Sequence, residues 1–388
     1  MRVIVIGAGV GGLAAAQGLL ADGHQVTVFE EAPALRTSGA AVTIWPNGGA
    51  VLTDLGLTLV GAGRRIHSLE ARSSNGQLLA VVDVTKLAGR LGAPVVTLPR
   101  RLLLDRLSAD LPAGVVRFGA RCIGASSSDG KAQARFEDGG TAEGDVLIGA
   151  DGRHSAVREA LSLGEPAVPT GKATWQGLSS IPIDLTAGRL AVTIAGPEGE
   201  CGFMPAGESL LQWWFDVPWM PDDAPPASPM AELRRRFGGW PDPVPQVLAA
   251  ASDEDVELFP HYRHRVPSLW GQGPCTLLGD SVHAMPSPPA QGASQALEDA
   301  WLLVRSLRTS PTDAPQALRD YEQAHRRRAA AHLLVGHPLT GSAGWVAEAL
   351  LPAPRIGDHL EIRHLPQGHQ QPPGHLRTVG ADLRVPGR

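Results

Sequence analysis

The chain has 388 residues, which at about 150 residues per domain predicts two or three domains, or one large domain with an insertion. Its 34 basic and 39 acidic side chains give a formal net charge of −5, so a nucleic-acid partner is not expected. Hydrophobic residues make up 43% of the chain, as in globular proteins with a sizeable core. Three scattered cysteines exclude a disulfide framework, and a reducing cytoplasm is the expected compartment. No stretch has the ~18 uninterrupted apolar residues of a membrane span, so no membrane association is expected.

The first 30 residues are typical of a strand–helix–strand unit. A buried strand at residues 2–6 leads into the glycine run 7–12, and a helix over 13–22 precedes a second strand at 25–29. The run fits the dinucleotide-binding pattern G-x-G-x-x-G, and the acidic residue Glu30 follows at the end of the second strand. This context predicts a bound nucleotide, although the motif alone does not distinguish NAD from FAD.

The rest of the chain alternates between helical and strand-like segments and indicates an antiparallel sheet between residues 172 and 220. The tail from residue 352 is rich in Pro, Gly and His and is expected to be irregular. The principal predicted elements are a helix over 101–111, strands at 145–148, 189–195, 202–205, 209–217 and 275–278, and helices over 230–237, 291–307 and 313–335.

Two further motifs place carboxylates after buried strands. The strand at 145–148 leads into Gly149-Ala-Asp-Gly152, and the strand at 275–278 leads into Gly279-Asp280. An Asp at the carboxyl end of a strand can bind the hydroxyls of a flavin ribityl chain. A helix that begins near Gly292 can aim N–H groups at the pyrimidine edge of the flavin.

Together the three motifs resemble the single-component flavoprotein monooxygenases, which include p-hydroxybenzoate and salicylate hydroxylase. The resemblance covers roughly residues 1–335 and extends to Trp45-Pro-Asn-Gly48 and Pro99-Arg-Arg101. It implies an α/β fold in which a Rossmann-like FAD-binding domain carries an inserted antiparallel-sheet substrate domain. The expected domains are an FAD-binding domain of residues 1–71, 97–170 and 270–340, a substrate domain of 72–96 and 171–269, and a partly irregular extension at 341–388.

The resemblance also implies roles for individual residues. The adenosine diphosphate of FAD would contact the Gly-rich run and Glu30, two arginines would contact the pyrophosphate or ribityl region, and Asp151 would serve both FAD and the pyridine nucleotide. Pro286 and Ser287 would lie near the flavin, in a loop that departs from the usual family sequence. The implied cofactor residues are Gly7, Gly9, Gly12, Glu30, Arg36, Val42, Arg100, Asp151, Asp280, Gly292, Ala293 and Ser294.

The implied reaction is a hydroxylation that uses FAD, NAD(P)H and O₂. NAD(P)H would bind transiently and reduce FAD, and a flavin hydroperoxide would then transfer one oxygen to an aromatic or polycyclic small molecule. Epoxidation, Baeyer–Villiger oxygenation, a reductase that resembles geranylgeranyl reductases, and a nucleotide-binding protein without turnover remain alternatives. The chain is expected to be a monomer or a homodimer.

Four residues of the antiparallel sheet, three of them aromatic, are the candidate substrate contacts. They are Trp175, Phe203, Gln212 and Trp214, and of these we favour Gln212 and Trp214. The segment resembles the substrate strands of the urate hydroxylase branch, but Glu200 and Gln212 stand near the positions of its catalytic Arg and Tyr. Urate is therefore a poor candidate substrate.

The histidines are expected to be structural or exposed. His283 is interpreted as a loop residue, and no metal site is expected. The runs His261–Arg265 and His325–Arg328 are interpreted as solvated surface on an edge strand and on the last helix, respectively.

Overall fold

The computed structural model describes residues 1–35, 40–181, 183–185, 188–224, 226–286 and 290–335. Its strands are β1 (Arg2–Ile6), β2 (Gln25–Phe29), β3 (Ala41–Ile44), β4 (Arg64–Ile66), β5 (Ser68–Ser73), β6 (Leu78–Asp83), β7 (Val95–Pro99), β8 (Val116–Arg117), β9 (Cys122–Ser128), β10 (Lys131–Phe136), β11 (Thr141–Gly144), β12 (Val146–Gly149), β13 (Val168–Ser179), β14 (Leu190–Gly196), β15 (Gly199–Pro205), β16 (Leu211–Pro218), β17 (Glu257–Arg263), β18 (Gly271–Gln272) and β19 (Cys275–Leu277). Its helices are α1 (Val10–Ala21), α2 (Pro46–Asp54), α3 (Thr85–Leu91), α4 (Arg100–Ser108), α5 (Ala156–Ala160), α6 (Pro229–Phe237), α7 (Val244–Ala250), α8 (Asp280–His283), α9 (Gly292–Thr309) and α10 (Ala314–Val335).

A six-stranded sheet in the order β18-β19-β12-β1-β2-β8 forms one half of the molecule. All its pairings are parallel except β18–β19. Helix α1 packs against α9 at close range, because a Cβ at Gly18 would lie 2.9 Å from Val304 Cγ2. The glycines of α1 therefore set the distance between the two helices. The chain between β8 and β12 forms a separate three-stranded antiparallel sheet in the order β11-β10-β9.

A seven-stranded sheet in the order β17-β13-β16-β15-β14-β5-β6 forms the other half. Its pairings are antiparallel except β14–β5. One face is closed by apolar side chains of α6 and α7, where Phe237 and Trp240 pack against Trp213 and Phe215. The strands come from residues 68–83 and 168–263, so the sheet is assembled from two distant parts of the chain.

A small antiparallel sheet, β3-β7-β4, links the two larger sheets. An apolar cluster connects the two sheets: Trp45 and Ile66 lie in or next to the small sheet, and they pack with Leu69, Ala191 and Met204 of the seven-stranded sheet. The small sheet is thus the place where the candidate cofactor and substrate regions meet.

The predicted fold class is confirmed, and most predicted elements lie within a few residues of the observed ones. Helix α1 begins at Val10, three residues earlier than predicted, because Gly11 and Gly12 are part of the helix. In the described part of the chain, no helix combines the length and apolar character that crossing a bilayer requires. The predicted extension at 341–388 lies outside the described residues, and the division into domains stays a prediction.

Candidate active site

Three neighbouring parallel strands bring the three sequence motifs to one edge of the six-stranded sheet. Strands β1, β12 and β19 end at Ile6, Gly149 and Leu277, and β12 pairs with both of the others. Parallel strands share the direction of their carboxyl ends, so the residues that follow them lie at the same edge, where open α/β sheets bind ligands. Gly7, Asp151 and Asp280 follow these strands and are brought together there.

The glycines of the first motif differ in what surrounds them. Gly7 has a φ of +104°, and a Cβ on it would lie 2.4 Å from Ala150 O. A Cβ on Gly12 would lie 2.1 Å from Gly7 O, whereas a Cβ on Gly9 would meet nothing within 4 Å. Gly7 and Gly12 are therefore required by the packing of the protein itself. Gly9 instead borders open space at the start of α1.

The N-terminus of α1 offers unbonded N–H groups to that space. Gly9 is the N-cap residue, and no side chain of the described residues caps the first N–H groups of the helix, where the helix dipole favours an anion. Glu30 fixes the turn by accepting hydrogen bonds from Ala8 N (2.7 Å) and Ala32 N (3.0 Å). Each carboxylate oxygen can accept more than one bond, so Glu30 can also accept a ribose hydroxyl.

Asp151 is a half-buried residue whose carboxylate has spare hydrogen-bonding capacity. Its Oδ2 accepts a hydrogen bond from Val157 N at 3.1 Å, while its buried Oδ1 has no hydrogen-bond partner among the described residues. Burial raises the pKa of Asp151, although hydrogen bonds from Ser155 and backbone N–H groups oppose the rise. An unpartnered buried carboxylate oxygen is costly, so a donor from a ligand would stabilise this position.

Asp280 lies beside the N-terminus of α9. Its side chain is exposed, and a Cβ on Gly292 would lie 4.0 Å from Asp280 Oδ1. No side chain caps α9 at Gln291, whose Oε1 instead accepts from Asn47 Nδ2 at 3.3 Å. A second helix N-terminus and a carboxylate therefore face the same region.

Ser294 has a role that the sequence did not reveal. Its hydroxyl is fully buried and accepts a hydrogen bond from Trp45 N at 3.1 Å. A Cβ on Gly48 would lie 2.8 Å from Ser294 Oγ, so α2 packs directly on this side chain. The hydroxyl thus joins α9 to α2, and the backbone N–H groups at the start of α9 are the remaining candidates for contact with the cofactor.

These features fit a dinucleotide such as FAD. An open cradle at Gly9, an unpartnered oxygen on Asp151 and two helix N-termini supply donors and acceptors for phosphates, hydroxyls and a ring edge. Val42 lies half-buried on β3, and Arg100 begins α4. Pro286 is buried, whereas Arg36 and Ser287 lie outside the described residues.

Strand alternation divides the four predicted substrate residues between opposite faces of the seven-stranded sheet. Gln212 and Trp214 share the face that meets β3, where Gln212 Nε2 donates to Ala41 O at 3.2 Å. Trp175 and Phe203 lie on the other face, in the core that α6 and α7 close. The structure therefore places Trp175 and Phe203 in a closed core and not on the face that meets β3, which corrects their assignment as substrate contacts. Gln212 and Trp214 are only half-buried and stay predicted contacts.

The face that meets β3 presents an apolar floor. The indole of Trp214 lies over Gly202, where a Cβ would be 2.1 Å from Trp214 Cζ2. Trp214 and Ala290, the first described residue after residues 287–289, each pack against the apolar cluster that includes Trp45 and Met204. Met204 Sδ accepts hydrogen bonds from the hydroxyls of Thr43 (3.2 Å) and Thr97 (2.7 Å), which attach this face to the small sheet.

A buried hydrogen-bond cluster supports the Asp280 loop. Asp299 Oδ2 accepts from Gly279 N at 2.7 Å and lies 2.6 Å from His283 Nε2. Burial opposes the charged forms of both groups, but their mutual attraction outweighs it, so the pKa of His283 is raised and that of Asp299 is lowered. Asp299 thereby ties α9 to both ends of α8.

The same cluster corrects the interpretation of the histidine run on the last helix. His325 is fully buried, 3.6 Å from Asp299 Oδ1, and is not on the surface. His283, Asp299 and His325 place three potential metal ligands within 4.8 Å. The His283–Asp299 contact of 2.6 Å is nevertheless shorter than the about 3.3 Å expected between two ligands of one tetrahedral zinc. We interpret the group as hydrogen-bonded.

The edge strand β17 also differs from its prediction. It does lie at the end of the sheet, but His261 is buried, as is His264 just beyond it. Arg158 Nη1 lies 2.6 Å from His264 Nε2, and burial together with that guanidinium lowers the pKa of His264 to about 3. Both histidines belong to the interior, a fact that alternation along one strand does not reveal.

Comparison with known proteins agrees with this geometry. A family model described as FAD binding domain matches residues 1–335. The chain is 31% identical over 366 residues to aurachin C monooxygenase/isomerase of Stigmatella aurantiaca, covering 90% of this chain and 94% of that protein. It is 33% identical over 333 residues to 3-amino-4-hydroxybenzoate 2-monooxygenase PtnB3 of Streptomyces platensis, covering 83% of each chain.

A solved structure agrees as well. The crystal structure of Klebsiella pneumoniae HpxO complexed with FAD and uric acid superposes with a TM-score of 0.81 at 29% identity, covering 90% of this chain and 92% of that one. The family match spans most of the chain, and the relatives include FAD-dependent monooxygenases, so the resemblance and the FAD cofactor inferred from the motifs are confirmed. The chain belongs to the FAD binding domain family, among its FAD-dependent monooxygenases.

Proposed function

We propose that the protein uses FAD, NAD(P)H and O₂ to hydroxylate a small aromatic or heteroaromatic molecule. The observation that carries the proposal is the open space at Gly9, between Gly7 and Gly12, whose own positions are closed by packing. That contrast marks a surface kept free for a ligand at a helix N-terminus. The named relatives act on aminohydroxybenzoate, urate and hydroxynicotinate, which supports an aromatic or heteroaromatic substrate.

The residues of the chain would divide the work of holding FAD. The N-terminus of α1 and Gly9 would bind the pyrophosphate, Glu30 the adenosine ribose, and Asp280 the ribityl chain. The N–H groups at the start of α9 would meet the pyrimidine edge of the ring. FAD, when bound, supplies the redox chemistry, namely hydride acceptance from NAD(P)H and activation of O₂.

The apolar face of the seven-stranded sheet would hold the substrate and exclude water. Trp214 would form a flat floor over Gly202, and Gln212 would donate or accept a hydrogen bond near β3. A dry site favours productive transfer of oxygen over release of hydrogen peroxide. The residues Met204 and Trp45 would complete the apolar wall.

The test begins with purified protein, its flavin content and its NAD(P)H oxidation in the presence of candidate phenols, quinones, indoles and hydroxypyridines. The proposal expects yellow protein, oxygen uptake stimulated by at least one aromatic compound, and a product heavier by one atom of ¹⁸O when ¹⁸O₂ is supplied. A Gly9→Val variant serves as the flavin-free control. Protein that cannot be reconstituted with FAD, or flavin reduction without oxygen incorporation, would contradict it.

We also propose that the protein is a monomer or a homodimer in the cytoplasm. The three cysteines, Cys122, Cys201 and Cys275, are free and buried, which agrees with a reducing compartment. Light scattering coupled to gel filtration measures the mass directly. A mass of three or more chains would contradict the proposal.

A further inference from the structure

Glu200 lies on the same face of the seven-stranded sheet as the proposed substrate floor. Register pairs Met204 with Gln212, Gly202 with Trp214, and Glu200 with Asp216. Alternation puts these six positions on one face, and Glu200 lies four residues, or about 13 Å, along β15 from Met204. The face thus runs from an apolar end near β3, across the indole of Trp214, to an acidic end.

Asp216 at the acidic end is held by a buried hydrogen-bonded chain. Thr174 Oγ1 donates to Asp216 Oδ1 at 2.5 Å and lies 2.6 Å from His261 Nε2. All three side chains are buried. Burial raises the pKa of Asp216 and lowers the pKa of His261, and their attraction opposes both changes. Asp216 therefore has a fixed position and a partner.

Glu200, which lies directly opposite Asp216 on β15, has no such hydrogen-bond partner among the described residues. It is shielded from most of the solvent, yet it makes no hydrogen bond and no ion pair with any residue in the described ranges. Burial and the nearby Asp216 raise the pKa of Glu200 to about 7, and the more distant charge of Lys172 only partly opposes this. The side chain is half-buried, and its oxygens are not among the fully buried polar atoms without a partner, so a donor from a ligand would take the place of solvent at this carboxylate.

We propose that Glu200 binds a hydrogen-bond donor of the substrate, such as a hydroxyl, a ring N–H or an amine, and thereby disfavours aromatic carboxylates at this end of the pocket. The proposal rests on the proposed function and specifies its substrate class. An ionised carboxylate accepts hydrogen bonds only, whereas a substrate carboxylate would bring a second negative charge next to Glu200 and Asp216.

Three matched probes test the inference: 6-amino-2-naphthol, 2-naphthol and 6-hydroxy-2-naphthoate. They share one ring system and differ only in the group at one end. Dissociation constants come from the change that each probe causes in the flavin absorbance of the FAD-loaded protein. At pH 8 the amino probe should bind at least about tenfold more tightly than the carboxylate.

Variants assign the preference to Glu200. Glu200→Gln should abolish most of the tenfold preference, and Glu200→Arg should reverse it, with flavin content unchanged in both. Glu198→Gln, an exposed residue of the turn between β14 and β15, is the matched control and should leave all three affinities unchanged. Equal discrimination by wild type and Glu200→Gln would overturn the inference.

A measurement on the wild type keeps the test independent of how the variants fold. Lowering the pH from 8 to 6 protonates Glu200, so affinity for the amino probe should fall while affinity for the carboxylate rises. Asp216, His261 and Lys172 also face this end, and Glu200→Gln should remove the pH dependence if Glu200 is its source. An unchanged profile in that variant, or a flat one in the wild type, would overturn the inference.

The outcomes also separate this inference from the proposed function. If FAD-loaded protein hydroxylates other aromatic compounds but none of the three probes perturbs the flavin, the inference fails and the proposed function stands. If the protein binds no FAD, or oxidises NAD(P)H without ever incorporating oxygen, both fail.

Discussion

The glycines at positions 9 and 12 allow a test that separates folding from cofactor binding. A Cβ at residue 12 would lie 2.1 Å from Gly7 O, a backbone atom that cannot move without displacing the turn. Overpacking of this kind costs up to about 3 kcal/mol, and helix propensity returns about 1 kcal/mol when Gly becomes Ala. Gly12→Ala should therefore destabilise the FAD-free protein by about 2 kcal/mol.

Gly9→Val should have little effect on the stability of the FAD-free protein but should prevent FAD binding, although it adds a larger side chain than Gly12→Ala. The backbone at Gly9, with φ −76° and ψ −177°, is available to any residue, and a Cβ would meet nothing within 4 Å. Loss of a favourable N-cap residue should cost the FAD-free protein no more than about 1 kcal/mol. The side chain would, however, occupy the proposed place of the pyrophosphate, and FAD should no longer bind.

Thermal unfolding of FAD-free protein, with and without added FAD, measures both effects. At a free FAD concentration 100-fold above its Kd, the wild type should gain about 2.7 kcal/mol, or roughly 5–11 °C in Tm. Gly12→Ala should lose about 4–8 °C before FAD is added. Gly9→Val should unfold within about 4 °C of the wild type and gain nothing from FAD. A Gly9→Val protein stabilised by FAD as strongly as the wild type would refute the assignment of this space to the cofactor.

Four further predictions concern the flavin loop, the cluster that supports it and the proposed substrate floor. Asp280→Asn should weaken FAD binding by about tenfold in a fluorescence titration, and an exposed position predicts little change in FAD-free stability. Asp299→Asn, which breaks a fully buried pair with His283, should cost about 3–5 kcal/mol in denaturant unfolding. In the wild type, the contribution of His283 should be complete below pH 6.5 and lost as the pH rises through its raised pKa, whereas that of Asp299 should be lost as the pH falls towards its lowered pKa. Gly202→Ala should displace Trp214 and lower kcat/KM without loss of FAD, and an unchanged kcat/KM would contradict the substrate floor.

The sequence alone determined the nucleotide half of the protein. Its motif is local: strand, turn and helix follow one another within 30 residues, and Glu30 closes the turn through Ala8, only 22 residues away. The order of the motifs likewise indicated the family. This local pattern can be recognised in the sequence because Gly7 and Gly12 are required by contacts with neighbouring backbone atoms.

The tertiary structure decided what depends on distant partners. Ser294 binds the backbone of Trp45 across 249 residues of sequence, and His325 is buried against Asp299 on another helix. The sequence predicted an exposed position for His325, because a charged run on a helix usually faces solvent.

The seven-stranded sheet shows most clearly what the sequence alone could not determine. Alternation along β15 and β16 identified two faces, but not which face meets β3, since aromatic residues line both. Only the placement of α6 and α7 over one face assigned Trp175 and Phe203 to the core and left Gln212 and Trp214 on the face that we propose holds the substrate. The pairing of Glu200 with Asp216 also follows from strand register, which is set by long-range packing and not by either strand alone.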